Sequence, residues 1–333
     1  MDAFVIITLF ASFFIFLFLS VPVSISIALA TFLSLLTNFP PLIASELVSQ
    51  KIITGLNSFG LLAIPFFILA GNIMNQGGIA RRLIEFAKVI AGPLPGALAH
   101  CNIIANMLFG AISGSAVAAA AAVGGTMAPI QKKEGYDPSF SAAVNIASCP
   151  SGLLIPPSGV LILFSLVSGG ASIAALFIAG YIPGLLMGLS LMIVSGFIAK
   201  KNKYPTTPRM PFIQALKKIL DALPSLFLIL IVIGGIIQGI FTATEASAIA
   251  VFYALILSLI YKEITFKDLP EIILDSSVTT SIVLFLVGAS IGMSWAMASA
   301  NIPELIANAL SSLSDNPLII CLLYTSPSPR DRG

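Results

Sequence analysis

Residues 96–130 read GALAHCNIIANMLFGAISGSAVAAAAAVGGTMAPI, two apolar helical stretches joined by Ser113-Gly114-Ser115. Each stretch is shorter than the about 20 residues that carry an α-helix across the hydrocarbon of a bilayer. Two short helices turning at a small polar tip suit a re-entrant hairpin, entering and leaving on one side, better than a full crossing. Unwound backbone is tolerated at that depth only where protein or a water-filled cavity surrounds it. A second irregular stretch follows at residues 149–159, CPSGLLIPPSG. Three prolines and two glycines cannot continue an unbroken helix. The expectation is a helix over Phe140–Ser148, a break at membrane depth, and a new helix from Val160.

Composition supports a lipid setting for both stretches. The chain has 333 residues, 58% hydrophobic and only 9% charged, against about 25% charged in a soluble domain. One core cannot hide that apolar excess, so lipid is expected to bathe much of the surface. The net charge of +2, with Lys and Arg in short loops, leaves no basic face for nucleic acid. Cys101, Cys149 and Cys321 lack metal or redox spacing and read as small buried apolar residues. With no basic n-region and no A-x-A site, Ala3–Ser20 reads as a retained span rather than a signal peptide.

Outward from the hairpin, hydropathy divides the chain into spans and arms. Val21-Pro22-Val23 breaks the first apolar block into a span ending at Ser20 and another from Val23, stopped by Pro40-Pro41. Ala44–Ile53 reads as interfacial, Phe59–Met74 as a span, and Ile79–Ile90 as an amphipathic surface arm bearing Arg81, Arg82, Glu85 and Lys88. Further spans are expected at Ile173–Ala199, Leu223–Phe241, Ala246–Tyr261 and Thr280–Ala298, an interfacial helix at Ile264–Leu274, and a second arm at Ile302–Leu313. The polar, Pro-rich ending YTSPSPRDRG, residues 324–333, differs from all that precedes it and is set aside as a non-native tail.

Charge orients the loops. If the hairpin returns to its own side, the Arg81–Lys88, Lys132–Lys133, Lys200–Arg209, Lys217–Lys218 and Lys262–Lys267 groups all face one side. The positive-inside rule makes that side the cytoplasm. The two halves also echo each other. Phe59–Ile90 runs span, Gly71-Asn72, turn and basic arm; Val278–Leu310 runs span, Gly288-Ala289, turn and an arm without Lys or Arg. That order fits an inverted-topology repeat. A second hairpin is expected from near Pro317, where the chain stops.

The fold class expected is an all-α polytopic membrane protein, an inverted-repeat, ion-transporter-type fold with a re-entrant hairpin and broken helices, the second repeat incomplete. The segments are 1–95 (scaffold spans and first arm), 96–170 (hairpin and broken helix of a transport domain), 171–222 (span and basic linker), 223–322 (start of the second repeat) and 323–333 (tail).

Broken helices present carbonyls and N–H groups to a site: carbonyls and hydroxyls coordinate Na⁺, and helix N-termini attract anions. Ser113 and Ser115 can share a cation with carbonyls near Gly152, Leu154 and Pro157; the bland alternative is that these small residues only permit close helix packing. Thr242-Ala243-Thr244-Glu245 reads as a cation or proton site, or as a capping box with Thr242 at N-cap and Glu245 at N3. Asn72, Asn102, Asn106 and Asn145 either hydrogen-bond between helices or line a substrate path. His100 reads as a packing or interfacial residue. With no nucleophile–base pair or acidic dyad, no catalytic residue is assigned.

The segments 55–87, 99–148, 153–159, 175–193 and 239–257 resemble the large membrane subunit of tripartite ATP-independent periplasmic (TRAP) transporters, the DctM type. SGSAVA (113–118), KKEGYDP (132–138), IPPS (155–158) and TEA (244–246) at these spacings carry the likeness, over about residues 1–322. The resemblance implies a large permease subunit, C-terminally truncated here, in the bacterial inner membrane. It implies Na⁺-driven uptake of organic acids such as C4-dicarboxylates or sialic acid by an elevator-type movement. A small membrane subunit and a periplasmic substrate-binding protein are its implied partners, with no cofactor beyond Na⁺ as coupling ion. The implied Na⁺ site is Ser113, Gly152, Leu154 and Pro157, with Ser115 and Ser158 beside it; Ser158, Asn145, Thr242 and Glu245 are expected along the substrate path. The alternative is an ion-coupled anion transporter of the same architecture that needs no binding protein.

Overall fold

The structure, a computed structural model, describes residues 2–168, 171–206 and 210–313. The expected second hairpin and the tail 323–333 lie outside these residues. Among the described residues all regular structure is helical. In chain order the helices are α1 (Asp2–Phe18), α2 (Val23–Leu35), α3 (Pro41–Leu56), α4 (Ala63–Gln76, preceded by a 3-10 turn), α5 (Ile79–Ala91), α6 (Ala97–Ser113) and α7 (Ala116–Lys133). There follow α8 (Pro138–Ser148), α9 (Ser151–Leu154), α10 (Gly159–Val167), α11 (Ile173–Lys201), α12 (Phe212–Ile237), α13 (Ala243–Ile260), α14 (Leu269–Ser299) and α15 (Ile302–Leu313).

Five stretches are long and apolar enough to cross a membrane: Phe59–Gln76, Ile173–Lys201, Phe212–Ile237, Ala243–Ile260 and Leu269–Ser299. A sixth results if Pro138–Leu154 and Gly159–Ser165, bent by 43°, count as one broken span. The helices are apolar outward as well as inward. On α11, Leu186 is 59% exposed, Ile193 61% and Phe197 73%, a surface that only lipid or further protein can cover.

Contacts divide the chain into two compact units, Met1–Asn57 with Ser281–Gly333, and Ser58–Thr280. This division cuts across the segments drawn from the sequence, since α4 and α5 pack with the hairpin. In the first unit α1 packs on α2 through Val5, Leu9 and Ala30, and α3 lies on α14, with Gly55 against Ile291 and Gly288 against Ile52. Lys51 sets its ammonium 4.9 Å from the centre of the Trp295 ring. At 17 and 13 residues, α1 and α2 are each shorter than the full spans expected of them.

In the second unit, α13 packs along α4, and α5 lies across α6 and α12. The core runs through Phe67, Met74, Leu83, Phe109, Val123, Ile162, Phe177, Leu228 and Ala250. α5 buries Ile79, Leu83, Ile84 and Ala87 on one face and turns its charges outward, as its amphipathic pattern requires. It starts after Gly78 in the left-handed region, φ 70°, and α15 likewise starts after Asn301, φ 53°. Span, left-handed turn and arm thus recur in the order read from the sequence.

Two expected boundaries change. Ile264–Leu274 and Thr280–Ala298 are not separate elements: α14 runs unbroken over 31 residues, about 46 Å. The polar residues 275–279 between the two are accommodated because their hydroxyls fold back onto the helix. Ser276 Oγ donates to Ile272 O at 2.6 Å, Ser277 Oγ to Ile273 O at 2.7 Å, and Thr279 Oγ1 to Asp275 O at 3.0 Å. And α12 begins at Phe212, eleven residues before the expected span, so Lys217, Lys218 and Asp221 form the polar first turns of a spanning helix.

The basic groups of the second unit converge at one end. Glu85 accepts from Lys88 at 2.6 Å and also from Lys218 of α12. Burial pushes the Glu85 carboxyl up, but these two ammonium groups outweigh it and hold it below the usual carboxylate range. Arg81 pairs with Glu263 at 3.1 Å, and the Arg82 guanidinium lies 3.4 Å from the centre of the Tyr261 ring. Tyr136 stacks on Tyr204, centroids 4.4 Å apart, joining the Lys132–Asp137 loop to the end of α11. Gly96 touches Ala199, and Cys101 lies against Ile84 O at 3.5 Å. These contacts bring the 81–88, 132–137, 200–205, 217–218 and 262–263 segments to the same end, as the charge reading requires.

Candidate functional site

α6 and α7 form a hairpin that returns to its starting side. Gln131 Nε2, near the end of α7, donates to Leu98 O, near the start of α6, at 3.2 Å. The tip is built by a chain reversal at Gly114, whose φ of 63° favours glycine. Ser115 then caps α7, its hydroxyl accepting from Ala118 N at 3.2 Å. Ser113 is 3% exposed and its Oγ contacts both Ser115 O and Ser115 N at 3.4 Å. Its Cβ packs against Gly71 of α4; a methyl carbon on Gly71 would stand 3.2 Å away.

The broken helix meets this tip. α9 stops at Leu154 because Pro156 and Pro157 carry no N–H. The carbonyls of Gly152 and Leu153, four residues earlier, therefore have no α-helical donor. α10 restarts under a second serine cap, Ser158 Oγ accepting from Leu161 N at 3.4 Å. A methyl carbon on Gly114 would stand 3.0 Å from Pro157 O and 3.7 Å from Ser158 Cα. Gly110 and Gly152 touch backbone to backbone, so that a side-chain carbon on either would collide with the other's Cα. The C-terminal ends of α6 and α9 and the serine-capped N-termini of α7 and α10 are thus gathered in one place. That arrangement offers carbonyl and hydroxyl oxygens together with positive helix ends.

Of the expected site residues, Pro157 and Ser158 lie against Gly114, the residue between Ser113 and Ser115, while Gly152 lies lower on the hairpin, against Gly110 and Asn106 O. Leu154 is in the same break, but its carbonyl lies against Gly180 of α11. Thr242 and Glu245 form a capping box: Thr242 N donates to Glu245 Oε2 at 2.8 Å and Glu245 N to Thr242 Oγ1 at 3.3 Å. Glu245 is exposed, and no hydrogen bond links either residue to the hairpin tip.

The asparagines are bridges. Asn145 of α8 donates from Nδ2 to Ala120 O of α7 at 3.0 Å and accepts at Oδ1 from Asn102 at 3.2 Å and Asn106 at 3.0 Å, both on α6. Asn106 also donates to Ser148 Oγ at 2.7 Å. Asn145 therefore ties three helices together beneath the tip, and it also lines a cleft between α7 and α8. Asn72 joins α4 to Ser276 at 2.8 Å. His100 is buried at the base of the hairpin against Gly196.

Residues that support the break were missed in the sequence. Gly180, Gly184 and Gly188 form one stripe of α11, against Leu154 O, Ile155 and Met107. Their spacing of four, repeated, is the small-residue signature of close helix packing and was there to be read. Gly110 and Gly152 had no such signal, because their closeness joins helices far apart in sequence.

The family model described as "Tripartite ATP-independent periplasmic transporter, DctM component" matches residues 10–326. The protein YgiK of Salmonella typhimurium is 58% identical over 318 residues, covering 96% of this chain and 73% of its own length. The sialic acid TRAP transporter large permease protein SiaM of Vibrio cholerae is 40% identical over 276 residues, covering 83% of this chain and 64% of its own length. The 2,3-diketo-L-gulonate TRAP transporter large permease protein YiaN of Escherichia coli is 36% identical over 279 residues, with 84% and 65% covered. The matches thus span 64% to 73% of the length of these relatives.

Proposed function

Because this chain belongs to the DctM component family of tripartite ATP-independent periplasmic transporters, we propose that it forms the ion-binding half of a Na⁺-coupled importer of organic acids. The family is one of transporter permeases rather than enzymes, and the chain is a multi-pass membrane protein. Its place is the bacterial inner membrane, with a small membrane subunit and a periplasmic binding protein that delivers the substrate. Sialic acid and 2,3-diketo-L-gulonate, named for relatives, and C4-dicarboxylates, named for the DctM of Rhodobacter capsulatus, mark the class of carboxylated substrate.

One observation carries this reading: the hairpin tip Ser113–Ser115 and the break Gly152–Ser158 meet, with Pro157 O facing Gly114. Unwound backbone among apolar helices is costly unless its polar groups are satisfied. A Na⁺ ion held by Ser113 Oγ, Ser115 Oγ and the carbonyls of Gly152 and Pro157 answers that demand. Ser158 lies beside the ion, and the capped N-termini of α7 and α10 favour a carboxylate there. Leu154 supports the site through its packing on α11. An elevator-type movement of the hairpin-bearing domain then carries ion and acid together. Uptake by the full-length relative carrying these residues, in proteoliposomes with its binding protein, is expected to require an inward Na⁺ gradient. Uptake that persists without the gradient and without the binding protein would refute this function.

A further inference from the structure

α9 is a single turn of helix, four residues closed by Ile155 N donating to Ser151 O at 3.0 Å. A turn that short does not hold its own direction. The proposed ion site nevertheless depends on where α9 aims. The carbonyls of Gly152 and Leu153 are the ones that Pro156 and Pro157 leave without α-helical donors. The angle of α9 is therefore set by what it is joined to and packed against.

The joint with α8 carries that control. Pro150 offers no N–H, and the backbone tightens after it. Gly152 N donates to Cys149 O at 3.1 Å and Leu153 N to Pro150 O at 2.9 Å, each three residues back. Ser148 O, which Gly152 N would take in a continuous helix, accepts from Ser151 Oγ at 2.6 Å instead. The Ser148 hydroxyl is itself held from α6: it accepts from Asn106 Nδ2 at 2.7 Å and donates to Asn145 O at 3.2 Å. Asn106, Ser148 and Ser151 are all 0% exposed. Asn106 O also lies against α9, 3.3 Å from where a methyl carbon on Gly152 would stand.

We propose that Asn106, Ser148 and Ser151 are positioning residues for the ion site, an inference that rests on the proposed function. They touch no ion. They fix the angle at which α9 leaves α8, and with it the direction of the carbonyls that the prolines set free. Buried hydrogen bonds of this kind specify one arrangement, where apolar contacts of similar volume tolerate several. Removing a hydroxyl from the chain lets α9 settle at other angles, and the loss falls on ion affinity more than on the fold.

The test is equilibrium binding of radioactive Na⁺ to the purified chain in detergent, competed with NaCl, beside thermal unfolding without Na⁺. Ser148→Ala and Ser151→Ala should each weaken Na⁺ binding by about tenfold, the scale of one lost buried hydrogen bond. Ser148→Ala keeps the back-bond of Ser151, so it still tests the role if Ser151→Ala does not fold. Ser247→Ala is the control. Ser247 of α13 is 0% exposed, and its hydroxyl donates to Thr244 O at 2.6 Å, the same three-residue back-bond that Ser151 makes. Ser247→Ala and Ser151→Ala should melt alike without Na⁺, and only Ser151→Ala should lose affinity, which separates positioning from general loosening. Wild-type affinity in both Ser148→Ala and Ser151→Ala, or an equal loss in Ser247→Ala, would overturn the positioning role while leaving the ion site standing. Absence of saturable Na⁺ binding in the wild type would overturn both.

Discussion

Gly110 of the hairpin and Gly152 of the broken helix touch through their backbones, each filling the space where the other's Cβ would be. This contact holds the tip against the break, because two helices can approach so closely only where both lack a side chain. Gly110→Ala is therefore expected to destabilise the protein by about 1–3 kcal/mol, the usual cost of overpacking. Gly125→Ala on α7, where nothing lies within 4 Å, should be neutral. Thermal unfolding in detergent compares the two; equal melting temperatures would mean that the contact is slack.

Asn145 satisfies Asn102 and Asn106 and donates to α7. Asn145→Leu leaves both amide donors of α6 short of their shared acceptor. The expected cost is about 1–3 kcal/mol, seen as faster proteolysis of the 132–138 loop and a lower melting temperature. If Asn145→Leu melts like the wild type, the bridge is not what holds α8 to the hairpin.

The Thr242–Glu245 capping box makes a different prediction from an ion-coupling role. Glu245→Gln keeps the shape and an acceptor oxygen, so Na⁺-dependent uptake by the full-length relative carrying these residues should stay within about twofold of wild type. Replacing the cap, as in Thr242→Ala, should cost about 0.5–2 kcal/mol of stability. Loss of Na⁺ coupling in Glu245→Gln would restore the carboxylate to the substrate path expected from the sequence.

Glu85 sets a pH dependence. Its carboxyl is held below the ordinary range when folded, so its contribution to stability is present at neutral pH. That contribution declines as pH falls below the ordinary carboxylate range, about 4.3, and is gone once the depressed folded value is passed. Glu85→Gln should therefore lower the melting temperature at neutral pH and differ little from wild type in strong acid. A difference that grows towards low pH would reverse the sign of this account.

Much of this architecture could be read from residue types. Ser113-Gly114-Ser115 interrupts an apolar run too short to cross twice, and Pro156-Pro157 removes helix donors, so hairpin and break followed from chemistry that acts locally. The T-x-x-E spacing of Thr242 and Glu245 announced a cap as well as a site, and the structure shows the cap. Ser276, Ser277 and Thr279 fall between the two helices expected there and instead sit within α14, their hydroxyls bonded back onto the helix. Hydropathy also passed over the first turns of α12, because Lys217, Lys218 and Asp221 are polar yet helical. The direction of the Leu154 carbonyl towards Gly180 is set by tertiary packing and had no counterpart in sequence spacing.

The claim beneath these predictions is that the unwound backbone at the tip and the break holds Na⁺. Thermal unfolding of the purified chain, titrated with NaCl against KCl at constant ionic strength, tests it most directly, because a ligand bound only by the folded state raises the melting temperature with its concentration. The account predicts a rise specific to Na⁺ in the wild type that Ser113→Ala abolishes or shifts to higher Na⁺. Identical curves in Na⁺ and K⁺, or an unchanged Na⁺ response in Ser113→Ala, would contradict it.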